Sequence, residues 1–501
     1  MLSSSEALSR LSEFPKFDDI HLGLPYAPLM PKHMVRETRE VVALARKFNA
    51  GVARPLALEL DRKTHEDPDY MPRDLVETIN RWGFYTLWIP RMFGGRGYNM
   101  PSMSYFAEEV GSVCLGIMNV IGVHYLGVAG VISAANMRLA KRILHDVVEG
   151  EKAGRPCLLA LATTEPGAGT DVEEVELVDK GKVTCHARRV EGGYIVNGTK
   201  VFISMGHLAT WTVLYAYSDL QKPSETTVGL MVKAGAKGFS CGTHENKMGQ
   251  RACPASELIF EDCFIPDEQV LFDERLVRKF TKRPFRAVAQ HYIDHVVSAT
   301  RPGVCAFGVG AARGAFETAL QYASTTKVEG RLLINNEWVQ TLLAEMYKNV
   351  ALGRLAYTEA NNANSLRGSY NLLQRKLFYY YFLFMPQAYL DWVIAPILER
   401  DFFSRLMGRQ TFDRTRPDDQ KCCSGWASLA KVAGTDIGVQ NCRMAVEFMG
   451  RTGLRHDAGA EKMLRDIKLL QIYEGTNQLN RLNLFKCLIA PVVPQSRVFE
   501  E

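Results

Sequence analysis

The feature that most constrains this chain is a double change of hydrophobic period along it. Residues 36–158 place apolar side chains at helical spacing, residues 159–270 alternate with period two, and helical spacing returns from about 288 to 490. A chain that switches period twice must form three packed units, and 501 residues at roughly 150 per domain allow that number. The order predicts an α+β protein. Its expected parts are an all-helical N-terminal domain (36–158), a middle β domain (159–270) and a C-terminal helical bundle (271–490).

Local signals fill in each unit. Arg36 to Asn49 has helical spacing, Asp74 is placed to cap a helix over Leu75 to Trp82 that stops at Gly83, and Pro90 to Gly97 reads as a loop. In the middle unit Val183 to Val190 alternates, Gly192-Gly193 turns it into Tyr194 to Val196, and Asn197-Gly198 reads as a hairpin turn before Lys200 to Ser204. Thr212 to Tyr217, Val228 to Val232 and Leu258 to Phe260 add strands, and so many short strands predict a β-barrel. Gly303 to Thr325, Glu337 to Asn362, Ala427 to Phe448 and Glu461 to Tyr473 predict a four-helix bundle. Two stretches are surplus to it, near 275–295 and 365–421. The first holds Arg275, Arg278, Lys279, Lys282, Arg283 and Arg286 with no acid between them, and reads as a solvated loop or a contact for phosphates or an acidic partner. The second is dense in aromatics (Tyr379, Tyr380, Tyr381, Phe382, Phe384, Trp392), which suits bundle core, a subunit interface or a pocket wall.

Composition removes several functions. A net charge of +5 spread over 501 residues is too small to imply a nucleic-acid partner. Eleven cysteines without a CxxC pair give neither a zinc site nor a disulfide framework, so no metal is expected and reduced thiols in a cytoplasm are the simple reading. Met1 to Phe14 lacks the apolar run of a secretory signal. Its Glu6 and Glu13 weigh against a transit peptide, leaving the mitochondrial matrix as the alternative location. Val113 to Ala135 and Leu377 to Leu398 are long enough to cross a bilayer. Glycines break the first, and prolines with Asp391 break the second, so both are expected as core or partner faces rather than spans.

Four segments carry chemistry. Thr163-Thr-Glu-Pro-Gly-Ala-Gly-Thr-Asp171 offers hydroxyls and backbone N–H groups to a phosphate or ring edge. Asn197-Gly-Thr-Lys-Val-Phe-Ile-Ser204 puts Phe202 and Ser204 on one strand face, where they could pack on and hydrogen-bond a flat ring. Lys247-Met-Gly-Gln-Arg-Ala-Cys-Pro254 is a punctuated loop that says little alone. In Gln471-Ile-Tyr-Glu-Gly-Thr-Asn-Gln478 a helix over Leu464 to Tyr473 is expected to end at Gly475. That leaves Glu474 among Leu469, Leu470, Ile472 and Tyr473, where desolvation raises a carboxyl toward the range of a general base.

Together with Thr300-Arg-Pro302 and the glycine-rich turn before Gly97, these segments occur in an order and spacing that resembles the acyl-CoA dehydrogenase family over residues 36–490. The resemblance implies FAD as cofactor and oxidation of an acyl-CoA thioester to the 2,3-enoyl-CoA. Glu474 would remove the α-proton, its N–H would hold the thioester oxygen, and hydride would pass to flavin N5. Electrons would go on to an electron-transfer flavoprotein. It further implies cofactor contacts at Thr164, Gly169, Thr170, Phe202, Ser204, Thr476 and Gln478, and substrate contacts at Arg301 and Thr170. Some relatives carry the base at the position of Thr300, and a threonine cannot serve as one.

The resemblance fails at one half-site. Family members complete each FAD site with an Arg and a Phe, and with a Gln and a Gly, from a second subunit; those positions here are Thr326, Glu329, Glu447 and Arg451. Two added carboxylates near a diphosphate cost Coulomb energy. This implies either a homo-oligomer holding FAD in an altered way, or a hetero-oligomer with a related subunit. The competing functions are a flavin-dependent monooxygenase or oxidase on the same fold, and a partner subunit with an incomplete FAD site.

Overall fold

The computed structural model describes residues 23, 31–493 and 495–500; the reading of Met1 to Phe14 lies outside them. Six of the helices with eight residues or more come first: α1 (Lys32–Phe48), α2 (Arg54–Glu66), α3 (Arg73–Arg81), α4 (Ser102–Gly111), α5 (Leu115–Ser133) and α6 (Met137–Lys152). In α3 the buried residues Leu75, Val76 and Ile79 fall on one stripe. Asp74 does not cap it. Pro72 is the N-cap and Asp74 sits in the first turn, where its charge meets the helix N-terminus. The charge-poor window at 113–135 is the central helix α5, with 72% of its apolar stretch buried inside the protein.

The middle unit comprises β1 (Leu159–Ala162), β2 (His186–Val190), β3 (Gly193–Ser204), β4 (Trp211–Tyr217), β5 (Thr227–Lys233), β6 (Phe239–His244), β7 (Ala255–Pro266) and β8 (Val270–Phe272). They form one open mixed sheet in the order β6-β7-β3-β2-β4-β5-β8, with β1 parallel to β4, so the expected closed barrel is not formed. The expected hairpin at Asn197-Gly198 is also absent. β3 runs straight through it, paired antiparallel with β7, and the dipeptide marks a register shift between Val196 and Gly198. Gly198 at φ 138° takes a conformation that side chains avoid, and Asn197 Oδ1 accepts the Asp262 N–H across the irregularity (2.9 Å).

The last unit holds α7 (Phe285–Thr325), a short hairpin β9 (Lys327–Val328) and β10 (Arg331–Leu332), α8 (Glu337–Arg367), α9 (Lys376–Phe384), α10 (Asp401–Phe412), α11 (Pro417–Met449), α12 (Ala460–Lys468) and α13 (Asn477–Leu484). Long α7, α8 and α11 make the bundle. α7 and α11 approach so closely that a Cβ on Gly308 would lie 2.4 Å from the Gly434 carbonyl. The expected fourth helix stops at Lys468, short of Tyr473.

The structure gives both surplus stretches a place. Residues from Phe285 onward form the front of α7. The basic run before it is largely paired within the protein: Arg275 with Asp267 (2.8 Å) and Asp273 (3.0 Å), Arg278 with Glu274 (3.0 Å), and Arg283 and Arg286 with backbone carbonyls. The aromatic stretch is not bundle core. α9 and the segment 387–398 are bent by 105° against one another, and Trp392 (80%) and Leu377 (79%) are among the most exposed apolar side chains of the described residues.

Candidate active site

Pro302 lies inside α7 and cannot donate to the Ser298 carbonyl one turn back. Asn364 Nδ2 supplies that bond instead (2.6 Å). Thr300 and Arg301 are thereby fixed beside the loop between α12 and α13. There Glu474 adopts a left-handed backbone (φ 56°), followed by Gly475 (φ 75°). A carboxylate-bearing residue in that region is strained, so the loop must be held from outside. Arg301 Nε (3.3 Å) and Asn480 Nδ2 (3.3 Å) both donate to the Glu474 carbonyl, and Lys431 Nζ donates to the Gly475 carbonyl (2.7 Å). Thr476 caps α13, accepting the Leu479 N–H (3.2 Å). Glu474 therefore sits ahead of the next helix rather than at the end of the previous one.

The Glu474 carboxyl faces a cavity of about 270 Å³. The cavity leaves it some surface, but protein surrounds it. Burial raises its pKa from 4.5 to about 7, the nearby Glu173 carboxylate adds to the rise, and Arg301, the Thr300 hydroxyl and Lys431 oppose it. The Thr300 hydroxyl donates to Glu474 Oε2 (3.1 Å). Lys431, buried beside Arg301, is pushed down to about 7 by desolvation first and by the Arg301 charge second.

Thr164, Gly169, Phe202 and Ser204 line the same cavity. The loop that carries the first two is anchored from beneath. Lys200 Nζ reaches both the Thr163 carbonyl (2.8 Å) and Glu165 Oε1 (2.8 Å), with neither charged side chain exposed. Phe202 adopts φ 60° and is 61% exposed; a register shift between Lys200 and Ile203 turns it outward. A Cβ on Gly169 would meet nothing nearer than Thr164 at 3.8 Å, leaving the backbone there open to approach. An aromatic face held open at a strained position, with two hydroxyls and an accessible loop backbone, fits a flat ring system bearing phosphates such as FAD.

The other expected site residues fall elsewhere. Arg301 is 1% exposed and stands behind the Glu474 loop, bonded also to Ser428 (3.0 Å) and Glu173 (2.9 Å). Its place is to position the loop, not to line the cavity. Thr170 starts a 3-10 turn whose last residue, Glu173, reaches the cavity in its stead. Gln478 is exposed on α13. The segment 247–254 has a mechanical role: the Gln250 N–H and side chain bond Asp466 of α12 (2.5 and 2.8 Å), tying the β unit to the helix before the loop. Glu173 and Lys431 escaped the sequence reading because no local motif surrounds Lys431 and Glu173 follows its motif by two residues. Asp61, His456 and Glu461 approach one another as metal ligands do, but Arg465 bonds both acids.

Comparison with known proteins agrees with this architecture. Residues 36–151 match the N-terminal domain of acyl-CoA dehydrogenase, 160–263 the middle domain, and 291–367 with 403–489 the C-terminal domain. A curated relative, cyclohex-1-ene-1-carbonyl-CoA dehydrogenase of Geobacter metallireducens, is 28% identical over 92% of this chain and 100% of its own length. The fold is also that of butyryl-CoA dehydrogenase from Megasphaera elsdenii (TM-score 0.69, 21% identity, 90% of this chain and 98% of that one). A chain from the structural study of the electron transferring flavoprotein of Acidaminococcus fermentans is similar too (TM-score 0.67, 23% identity, 90% and 98%). The chain belongs to the acyl-CoA dehydrogenase family. It is a flavoprotein oxidoreductase of CoA thioesters, and FAD is the family's cofactor. The C-terminal match leaves out 368–402, the stretch that holds α9 and the bent segment after it.

Proposed function

We propose that this chain oxidises an acyl-CoA thioester to the 2,3-enoyl-CoA, with Glu474 as the α-proton base. One observation carries the reading: a carboxyl raised to about 7 projects from a clamped loop into the cavity that Phe202 and Thr164 line from the other unit. A base with that pKa is half-ionised near neutral pH, which favours proton abstraction. No carbonyl among the described residues accepts the Glu474 N–H, so it is free to hold the thioester oxygen as negative charge develops. Thr300 orients the carboxylate; Arg301, Lys431 and Asn480 keep the loop from relaxing. Thr164, Gly169, Phe202 and Ser204 would hold FAD, which when bound supplies the hydride acceptor at N5.

The relative named above favours a cyclic acyl group. An electron-transfer flavoprotein is the proposed electron acceptor and the cytoplasm the proposed location. For assembly we favour an oligomer through the outer end of the bundle, where Trp338 (60%) and Tyr347 (63%) stand exposed. Glu329 and Glu447 on that same end favour a related subunit as the alternative partner. The test is anaerobic flavin bleaching over an acyl-CoA panel. Bleaching with enoyl-CoA formation by wild type, lost in Glu474→Gln with flavin retained, is the expected result. Near-full activity of that variant would exclude Glu474 as the base.

A further inference from the structure

The cavity wall away from the β unit is not purely apolar. Asn119 of α5, Ser104 of α4 and Asn361 of α8 line it, and each is more than nine-tenths buried (6%, 3% and 4% exposed). Asn361 Nδ2 donates to Ser104 Oγ (2.9 Å). The Asn119 carboxamide makes no hydrogen bond among the described residues, and its polar atoms are reached from the cavity it lines. Two other polar side chains of α5 are satisfied within the protein: His124 bonds the Tyr85 carbonyl and the Leu159 N–H, and the Tyr125 hydroxyl bonds the Phe84 carbonyl. Nor does the helix have room to swing Asn119 away. Gly116 and Gly122, one turn to either side, are pressed against Ala252 and the Phe307 ring. An amide whose only open side is the cavity takes its hydrogen-bond partners from whatever occupies that cavity.

The charges on the wall narrow the ligand. The cavity is lined by no Lys, Arg or His, and its acids are Glu173 and Glu474. A second carboxylate on the acyl group would meet only like charge there. A plain hydrocarbon chain would leave the Asn119 donor and acceptor unpaired. A neutral hydroxyl or ketone meets both conditions, since a carboxamide can donate to either and accept from the first. We infer that the substrate acyl group carries a neutral oxygen function, recognised by Asn119 beside the Ser104–Asn361 pair. This rests on the dehydrogenase reading above, and it makes Asn119 a specificity determinant for that reaction.

The test compares matched acyl-CoA pairs on the FAD-loaded enzyme by anaerobic bleaching: cyclohexanecarbonyl-CoA against its ring-hydroxylated and ring-oxo counterparts, and hexanoyl-CoA against hydroxyhexanoyl-CoA. The expected wild-type kcat/KM favours the oxygenated member of at least one pair by roughly 10- to 100-fold, and in Asn119→Leu that ratio collapses toward one. If N119L loses its flavin, N119A takes its place. Equal or better turnover of the unsubstituted member in every pair, or a ratio that survives the substitution, overturns the inference while leaving the dehydrogenase intact. Failure of every acyl-CoA to bleach the flavin overturns the underlying reading, and this inference with it.

Discussion

Replacing Glu474 by Gln tests the electrostatics of the site without reference to turnover. In the folded protein the carboxyl is raised from 4.5 to about 7, by burial first and by Glu173 second. The folded state therefore binds this proton more tightly than the unfolded state does. The stability it contributes is fully present below about pH 4.5 and is lost as pH rises to about 7. A rise of that size corresponds to about 3 kcal/mol as a ceiling. Glutamine keeps the shape and can still accept from Thr300, but never ionises. Wild type and Glu474→Gln are thus expected to melt alike near about pH 4.5. By about pH 8 the variant should be more stable by about 2–3 kcal/mol, a Tm gain of roughly 2–3 °C for a chain of this size. Thermal melts of the flavin-loaded proteins across that range measure the difference. Equal melting at every pH would mean that Glu474 ionises like an exposed carboxylate, and the case for a buried base would fall.

Three further outcomes are expected. Lys200→Met strands Glu165, its fully buried partner; a loss of about 3–5 kcal/mol, read by thermal melting, should accompany release of flavin. Phe202→Gly relieves a left-handed phenylalanine, so the apoprotein should gain about 1 kcal/mol while FAD binding, followed by fluorescence titration, weakens roughly 10-fold. Thr300→Val removes the hydrogen bond that opposes the rise in Glu474 pKa. The ascending limb of the kcat/KM–pH profile should then move upward from about 7 by about one pH unit or less.

What the sequence made legible was set by local chemistry. The threonine- and glycine-rich turn at 163–171 and the IYEGT segment each carry their own backbone constraints, and Thr164, Gly169, Phe202, Ser204 and Glu474 meet at one cavity. What it hid was set by packing between distant segments. Asn197-Gly198 has the composition of a turn, yet β7 pairs with β3 along both sides of it and holds it as an irregularity. The helix before Glu474 ends early because Arg301, Lys431 and Asn480 pull the loop into another path. No periodicity encodes those three contacts, since they come from α7, α11 and α13. Asn119 lay inside a charge-poor window whose sequence says nothing of a pocket, and it lines the cavity together with its α5 neighbours Met118 and Gly122.

Single-turnover flavin reduction of wild type and Glu474→Gln, with the best acyl-CoA of the panel, shows whether Glu474 is the base of an acyl-CoA dehydrogenation. Wild type should bleach rapidly with stoichiometric enoyl-CoA, its rate rising through about pH 7, and the variant should lose roughly 1,000-fold or more at equal flavin content. Flavin reduction at a comparable rate in both proteins would contradict that assignment of the base.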